Sequence, residues 1–184
     1  MNIKETGLKG LLIIEPRVFN DSRGYFFESY NQERFTEAGI EFRPVQDNES
    51  KSTRGVIRGL HYQLNPQAQS KLIRVVQGSI FDVALDIRKG SPTFGKWFGI
   101  ELDSETKKQL FIPRGFAHGF SVLSETAVIQ YKCDNLYNPQ LERGINLNDP
   151  VINIDWKLNN LPTVISDKDL RNPDFERAEY NFNY

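Results

Sequence analysis

Glycines divide this chain into many short segments that are rich in β-branched and aromatic residues. Runs of this kind, separated by turn residues, predict strands joined by tight connections rather than long helices. Many short strands are typical of a barrel or a sandwich of two sheets. The sequence therefore predicts an all-β fold, and 184 residues suit a single domain over 1–184. The dividing glycines are Gly55, Gly59, Gly78, Gly90, Gly95, Gly99, Gly115, Gly119 and Gly144.

Two segments show the alternation of a strand most clearly. In Phe81–Ile87 the odd-numbered residues are apolar and share one face, whereas Asp82 and the other even-numbered residues share the opposite face. In Ala127–Cys133, Tyr131 shares a face with apolar neighbours. Gly78 is predicted to separate the first of these strands from the strand before it.

Helix is predicted at only two places. The segment from Asn31 to Gly39 has an N-cap residue at its start and a glycine stop at its end. A second short helix or turn is expected after Ser166. The polar C-terminal segment 172–184 is expected to lie over the surface without contributing a core element.

Composition excludes several classes of protein. The 23 basic and 24 acidic residues give a net charge of −1, which argues against binding to nucleic acid. The single Cys133 excludes an internal disulfide and a cysteine-rich zinc site. The apolar patch Leu11–Ile14 is too short for a signal peptide, and no segment reaches the ~20 apolar residues of a membrane helix. A soluble cytoplasmic protein is expected.

The chain has only two histidines, and each lies in an apolar, glycine-containing stretch. Because imidazole has an unperturbed pKa of about 6.5, His61 and His118 suggest proton transfer in a β-lined pocket. The alternative for His61 is a half-buried histidine that binds a backbone carbonyl. Strict alternation places Arg58 and His61 on opposite faces of a strand, unless a bulge at Gly59 changes the register.

A metal site is not favoured by the histidine pattern. The two histidines are far apart in sequence and form no His-x-His pair, so they make a poor ligand set. The alternative is a metal-dependent cupin in which His61, His118 and an acidic residue bind the ion.

Other candidates have ordinary explanations beside the functional ones. Lys71 begins a predicted strand and could be a solvated edge residue. Tyr131 could be a core tyrosine with a satisfied hydroxyl. Arg23 and Arg58 are candidate anion-binding residues, because guanidinium pairs with phosphate through two hydrogen bonds. No P-loop or GxGxxG motif is present, so a phosphate would be held by side chains.

Over nearly its whole length the sequence resembles the dTDP-4-dehydrorhamnose 3,5-epimerase family. Ten matching strings occur in order, and together they make a chance match very unlikely. They are Glu15-Pro16, Asp21–Tyr30, Gln46-Asp47-Asn48, Arg58–His61, Lys71–Val75, Phe81–Arg88, Ile112–Phe120, Tyr131-Lys132, Asp155-Trp156 and Ser166–Asp169.

The resemblance implies a cupin-type double-stranded β-helix, which is a jelly-roll barrel, with a few short helices. It implies an isomerase that works without a metal or another cofactor, as a homodimer whose N-terminal strands cross between subunits. The implied substrate is dTDP-4-dehydro-6-deoxy-D-glucose, which is epimerised at carbons 3 and 5 on the route to dTDP-L-rhamnose.

The resemblance also implies roles for individual residues. His61 is the implied base and Asp169 its partner, Tyr131 is the implied acid, and Lys71 lies near the 4-keto oxygen. A positioned base and an oxyanion donor each contribute about 10²-fold or more to such proton abstraction. The implied nucleotide contacts are Arg23, Glu28, Gln46, Asn48, Arg58, His118, Glu142 and Lys168.

Two departures from the family pattern leave alternatives open. Leu136-Tyr137 stands where some relatives carry two aromatic residues, and the segment Leu161–Ile165 is one residue longer than in some relatives. The first departure concerns packing near the sugar, so epimerisation at carbon 3 alone remains an alternative, and the second concerns the placement of Lys168 and Asp169. A non-catalytic cupin that only binds a sugar nucleotide is a second alternative.

Overall fold

The computed structural model describes residues 1–184 and is built almost entirely from strands. Thirteen strands are joined by turns and loops, with two short α-helices and one 3₁₀ helix. The strands are β1 (Asn2–Glu5), β2 (Leu12–Glu15), β3 (Val18–Asp21), β4 (Gly24–Phe27), β5 (Gln46–Thr53), β6 (Ile57–Gln63), β7 (Lys71–Gln77), β8 (Ser79–Asp86), β9 (Trp97–Asp103), β10 (Gln109–Ile112), β11 (Phe116–Val122), β12 (Thr126–Cys133) and β13 (Glu142–Gly144).

The strands form two antiparallel sheets and one separate hairpin. The six-stranded sheet has the order β1-β2-β10-β7-β12-β5, and the five-stranded sheet has the order β13-β6-β11-β8-β9. One apolar cluster draws side chains from both sheets, such as Ile73 and Ile129 from the first and Ala84 and Phe120 from the second. The predicted double-stranded β-helix is confirmed. Strands β3 and β4 pair only with each other.

The five-stranded sheet is covered on both faces, so polar residues within it can be buried. Phe81, Val83 and Leu85 pack in a second apolar cluster, on the face opposite Ala84. The predicted alternation of this strand is therefore confirmed. Because the second face is also covered, Asp82 is fully buried rather than solvated.

The predicted division at Gly78 is confirmed, since β7 ends at Gln77 and β8 begins at Ser79. Gly78 has a φ of +77°, a conformation that residues with a side chain rarely adopt. A Cβ atom at this position would also overlap the carbonyl oxygen of Thr126. Glycine is therefore required at this turn by both conformation and space.

Both predicted helices are present. Helix α1 (Gln32–Glu37) is capped by the side chain of Asn31, and its Phe35 packs on the outer face of the six-stranded sheet. Helix α2 (Asp167–Leu170) is capped by Ser166 Oγ, which accepts from the Asp169 N–H. A 3₁₀ helix spans Phe175–Arg177.

The expectation for the C-terminal segment was wrong in one respect. The segment crosses the surface, but Phe175 and Phe182 are buried and belong to the apolar cluster behind the five-stranded sheet. An isolated bridge between Lys89 and Asn183 fixes the end of the segment to the barrel. The scattered aromatic residues in a polar stretch therefore cover the sheet. No helix of this fold has both the length and the apolar character needed to cross a bilayer.

Candidate active site

A short hydrogen bond joins two residues that are 108 positions apart. His61 Nε2 on β6 lies 2.6 Å from Asp169 Oδ1 on α2. The loop before α2 is attached to the start of β6, because Val164 pairs with Val56 and accepts a hydrogen bond from Ile57. This attachment carries Asp169 into the barrel, where only 5% of its side chain is exposed.

Asp169 is held in its ionised form by its neighbours. Burial raises the pKa of its carboxyl group, but the hydrogen bond and charge of His61 act in the opposite direction. The N–H of Gly59 and the cap at Ser166 add to this stabilisation, and the pKa of Asp169 lies below its usual value. An ionised aspartate can fix the imidazole tautomer and stabilise the imidazolium that forms after proton abstraction.

Lys71 and Tyr131 enter the same cavity from the opposite sheet, on the adjacent strands β7 and β12. Burial lowers the pKa of Lys71, while Cys133, Asp82 and Glu142 act to raise it. Burial raises the pKa of Tyr131, so its phenol stays protonated at neutral pH. The site therefore holds a lysine whose charge is disfavoured by burial beside a protonated phenol.

The β6–β11 pairing contains the irregularity that the sequence left open at Gly59. The register between β11 and β6 shifts between His118 and Phe120, and Gly59 has a φ of +133°. A Cβ atom on Gly59 would come within 2.5 Å of the Gly119 backbone. The irregularity places Arg58 and His61 in the same cavity, although strict alternation would separate them.

The cavity has two lobes that meet at the same three side chains. The larger lobe has a volume of about 510 Å³ and the smaller a volume of about 210 Å³. His61, Lys71 and Tyr131 line both lobes. The larger lobe adds Arg58, His118, Lys168 and Asp169 to the lining, and the smaller lobe adds Gln46, Asn48 and Glu142. Ten of the twelve site residues named from the sequence thus surround one cleft.

An ion pair links the two lobes at the cleft's edge. Lys168 Nζ lies 2.5 Å from Glu142 Oε2, and the Tyr137 hydroxyl donates to the same oxygen at 2.7 Å. Burial raises the pKa of Glu142, but both hydrogen bonds and the lysine charge outweigh it, and the pKa lies below its usual value. The backbone N–H of Tyr137 donates to Gln46 Oε1 at 2.8 Å, which attaches the loop to β5.

Arg23 and Glu28 lie outside the cleft of their own chain. Arg23 stands at the turn of the β3–β4 hairpin, where its side chain is 88% exposed and pairs with Asp21. Glu28 pairs with Arg34 on the outer side of the six-stranded sheet. The hairpin pairs with no other strand, and Glu28 follows directly after its second strand. Their assignment as nucleotide contacts stays a prediction.

Each of the two histidines has its own aspartate partner. His118 Nε2 lies 2.7 Å from Asp82 Oδ1, as His61 lies against Asp169. No group of three or more His, Cys, Asp and Glu side chains is arranged to hold a metal ion. The sequence alone did not indicate Asp82 as part of a site. The available signal was a carboxylate at a central position of an otherwise apolar strand.

Comparison with known proteins assigns this chain to a family. The model of the dTDP-4-dehydrorhamnose 3,5-epimerase family matches residues 5–177. The chain belongs to this family. A dTDP-4-dehydrorhamnose 3,5-epimerase from Shigella flexneri is 55% identical over 181 residues, which cover 98% of this chain and 99% of the relative. The family resemblance seen in the sequence is confirmed, and the protein is an isomerase.

Solved structures of family members have the same fold. The dTDP-4-dehydrorhamnose 3,5-epimerase of Elizabethkingia anophelis NUHP1 matches with a TM-score of 0.92 and 51% identity, covering 96% of this chain and 97% of that chain. The dTDP-6-deoxy-D-glucose-3,5-epimerase of Legionella pneumophila Philadelphia 1, solved with dTDP-4-keto-L-rhamnose, matches with a TM-score of 0.92 and 48% identity. That match covers 96% of this chain and 93% of that chain.

The low pKa of Asp169 makes a prediction about acid stability. A carboxyl group with a lowered folded-state pKa stabilises the fold above its unfolded pKa, and this stabilisation is lost as the pH falls through the folded value. We expect Asp169→Asn to show a smaller loss of unfolding free energy than the wild type from about pH 4 downward. Urea denaturation at several pH values measures the unfolding free energy of both proteins.

The control for this experiment is Asp167→Asn, an exposed aspartate on the same short helix. Its acid dependence should follow that of the wild type. An equal acid loss in Asp169→Asn and the wild type would contradict the stabilisation of Asp169 by His61.

Proposed function

We propose that this protein epimerises dTDP-4-dehydro-6-deoxy-D-glucose at carbons 3 and 5 to give dTDP-4-dehydro-L-rhamnose. The observation that carries the proposal is the convergence of His61, Lys71 and Tyr131 at the junction of the two lobes. A base, a cation and an acid are the three groups that inversion next to a ketone requires. The names of the relatives describe the same reaction.

The first half of each inversion removes a proton beside the ketone. His61 Nδ1 takes the proton, because Nε2 faces Asp169 Oδ1, and the electron pair of the C–H bond moves toward the 4-keto oxygen as an enolate forms. Asp169, 2.6 Å from the imidazole, stabilises the imidazolium that results. Lys71 stabilises the negative oxygen, and its buried position strengthens this interaction relative to water.

The second half returns a proton to the opposite face of the ring. The Tyr131 hydroxyl donates it to the same carbon as the enolate collapses to the ketone. Because burial raises the pKa of Tyr131, the phenol is protonated and ready to donate at neutral pH. The phenolate then regains a proton from solvent and the imidazolium loses one. The cycle repeats at the second carbon on the other side of the carbonyl group.

The nucleotide is held, in this proposal, by the polar residues on both sides of the junction. Arg58 is oriented by a hydrogen bond from its Nε to Ser52 Oγ at 3.0 Å, which directs a guanidinium group toward a diphosphate. The remaining contacts proposed within the chain are Gln46, Asn48, His118, Glu142 and Lys168.

We further propose that the functional unit is a homodimer in which the β3–β4 hairpin of one copy reaches the cleft of the other. Phe19, Tyr25 and Phe26 on this hairpin are 50%, 57% and 71% exposed, an apolar surface typical of an interface. Arg23 and Glu28 do not line the cleft of their own chain, so a second copy is the route by which they would contact the nucleotide.

The proposed reaction is tested by proton NMR of dTDP-4-dehydro-6-deoxy-D-glucose in deuterium oxide with the purified protein. We expect exchange of the protons on carbons 3 and 5, and loss of at least about 10²-fold in the exchange rate in His61→Ala, because a general base is removed. Exchange at carbon 3 alone would identify a 3-epimerase. Binding without exchange would identify a non-catalytic sugar-nucleotide-binding protein. Loss of activity on treatment with a chelator would support the metal-dependent alternative.

Tyr131→Phe separates the acid from the base. We expect this variant to lose inversion more strongly than exchange, because His61 can return the proton to the face from which it came. Exchange is followed by NMR, and inversion by coupling the product to a sugar-nucleotide reductase. Equal losses of both activities would contradict the assignment of Tyr131 as the acid.

The dimer is tested by light scattering after size-exclusion chromatography. We expect the wild type to have twice the mass of the chain and Phe26→Asp to approach the mass of one chain with reduced exchange activity, because a charge is placed in the interface. Circular dichroism verifies that the variant is folded. A monomeric wild type with full activity would contradict both the dimer and the roles of Arg23 and Glu28.

A further inference from the structure

A buried carboxylate oxygen beneath the cleft has no hydrogen-bond partner. Asp82 lies in the centre of β8 and is fully buried. Its Oδ1 contacts His118 Nε2 at 2.7 Å, but its Oδ2 has no partner. Buried carboxylates without full pairing are costly, so such an atom requires a specific explanation.

Lys71 has the complementary property. It is the ammonium group of the cleft whose charge is least favoured by its surroundings, since burial lowers its pKa. Three acidic groups oppose this effect, namely Cys133, Asp82 and Glu142. Of the three, only Asp82 keeps a buried oxygen without a hydrogen-bond partner. Burial raises the pKa of Cys133 to about 11, which leaves a neutral thiol, and Glu142 is already paired with Lys168 at 2.5 Å.

We propose that Asp82 is a positioning residue of the reaction, which fixes the His118 ring through one oxygen and balances the charge of Lys71 through the other. This inference rests on the proposed function and extends it to a buried residue behind the side chains that line the cleft. Asp82 does not reach the cleft, so it acts through His118 and Lys71, both of which line it. Asp82 acts to raise the pKa of Lys71, so it favours the ammonium form in the absence of substrate, when no enolate is present to pair with it.

The position on β8 fits this role. Ala84, the next residue on the same face, has no charge, and Asp86 is committed to Arg88 at 2.7 Å and to Ser91 at 2.7 Å. Asp82 is therefore the single carboxylate of this strand that contacts a residue lining the cleft. The other titratable or charged groups lining the two lobes are His61, Tyr131, His118, Arg58, Glu142, Lys168 and Asp169 on the neighbouring elements, together with Tyr62 and Tyr137.

Asp82→Asn tests the proposal, because it keeps the shape of the side chain and removes its charge. Removing a negative charge lowers the pKa of Lys71 further, so we expect the alkaline limb of the kcat profile to move to lower pH by about one unit. The wild-type exchange assay must first show activity, and its absence would count against the proposed function rather than against the role of Asp82.

The matched control is Asp86→Asn, which changes an equally buried aspartate four residues along the same strand. We expect it to lower the melting temperature without moving the alkaline limb, because its partners lie outside the cleft. If Asp82→Asn is folded and active with an unshifted alkaline limb, or if both variants shift it equally, the proposal is overturned.

Tyr131 also titrates at high pH, so the alkaline limb of the kcat profile can report either residue. A direct titration of Lys71 separates the two. Carbon-13 NMR of labelled lysine, assigned with Lys71→Gln, follows the protonation of this side chain in the wild type and in Asp82→Asn. We expect a protonated Lys71 at pH 7 in the wild type and a lower pKa in the variant. Should Asp82→Asn fail to fold, a neutral Lys71 at pH 7 in the wild type would overturn the proposal by itself.

Discussion

The hydrogen bond between His61 and Asp169 is the contact on which the candidate site depends, because it fixes a residue of the barrel against a residue that arrives near the end of the chain. The surrounding structure holds both residues in position for this contact. The pairing of Val164 with Val56 and the cap at Ser166 leave α2 little freedom in where it places its acid. The barrel alone would present an imidazole without a defined partner.

The two sheets contribute different chemistry to the cleft. The five-stranded sheet supplies both histidines, and the six-stranded sheet supplies Lys71 and Tyr131. In the proposed reaction, a substrate between the sheets meets a base on one side and an acid on the other, which is the geometry that inversion of a carbon centre requires. The two groups are carried by different sheets, so in this proposal they act on opposite faces of the ring.

The sequence predicted those parts of the fold that depend on local pattern. Alternation located β8 and β12, and cap residues located both helices, because these signals arise within a few neighbouring residues. Phe182 was assigned to the surface since its environment in the sequence is polar, and its burial depends on a sheet formed by residues about 100 positions earlier in the chain.

The site was predictable only in part from the residues themselves. Composition gave no reason to select Asp169 among 24 acidic residues, and the resemblance to a family supplied that choice. Spacing left Arg58 and His61 on opposite faces, and only the shifted register at Gly59 places both in the cleft. The pairing of Asp82 with His118 joins two strands and leaves no signature in either segment alone.

The shape of the cleft has a consequence for selectivity. His61, Lys71 and Tyr131 line both lobes, so in the proposed reaction a ligand held beside them extends into the space on either side. A free hexose would occupy one lobe, whereas a sugar nucleotide would reach from its sugar beside these three residues into a lobe with its nucleotide portion. The nucleotide portion takes no part in bond making. In this proposal it nevertheless decides which keto sugar is held beside the imidazole.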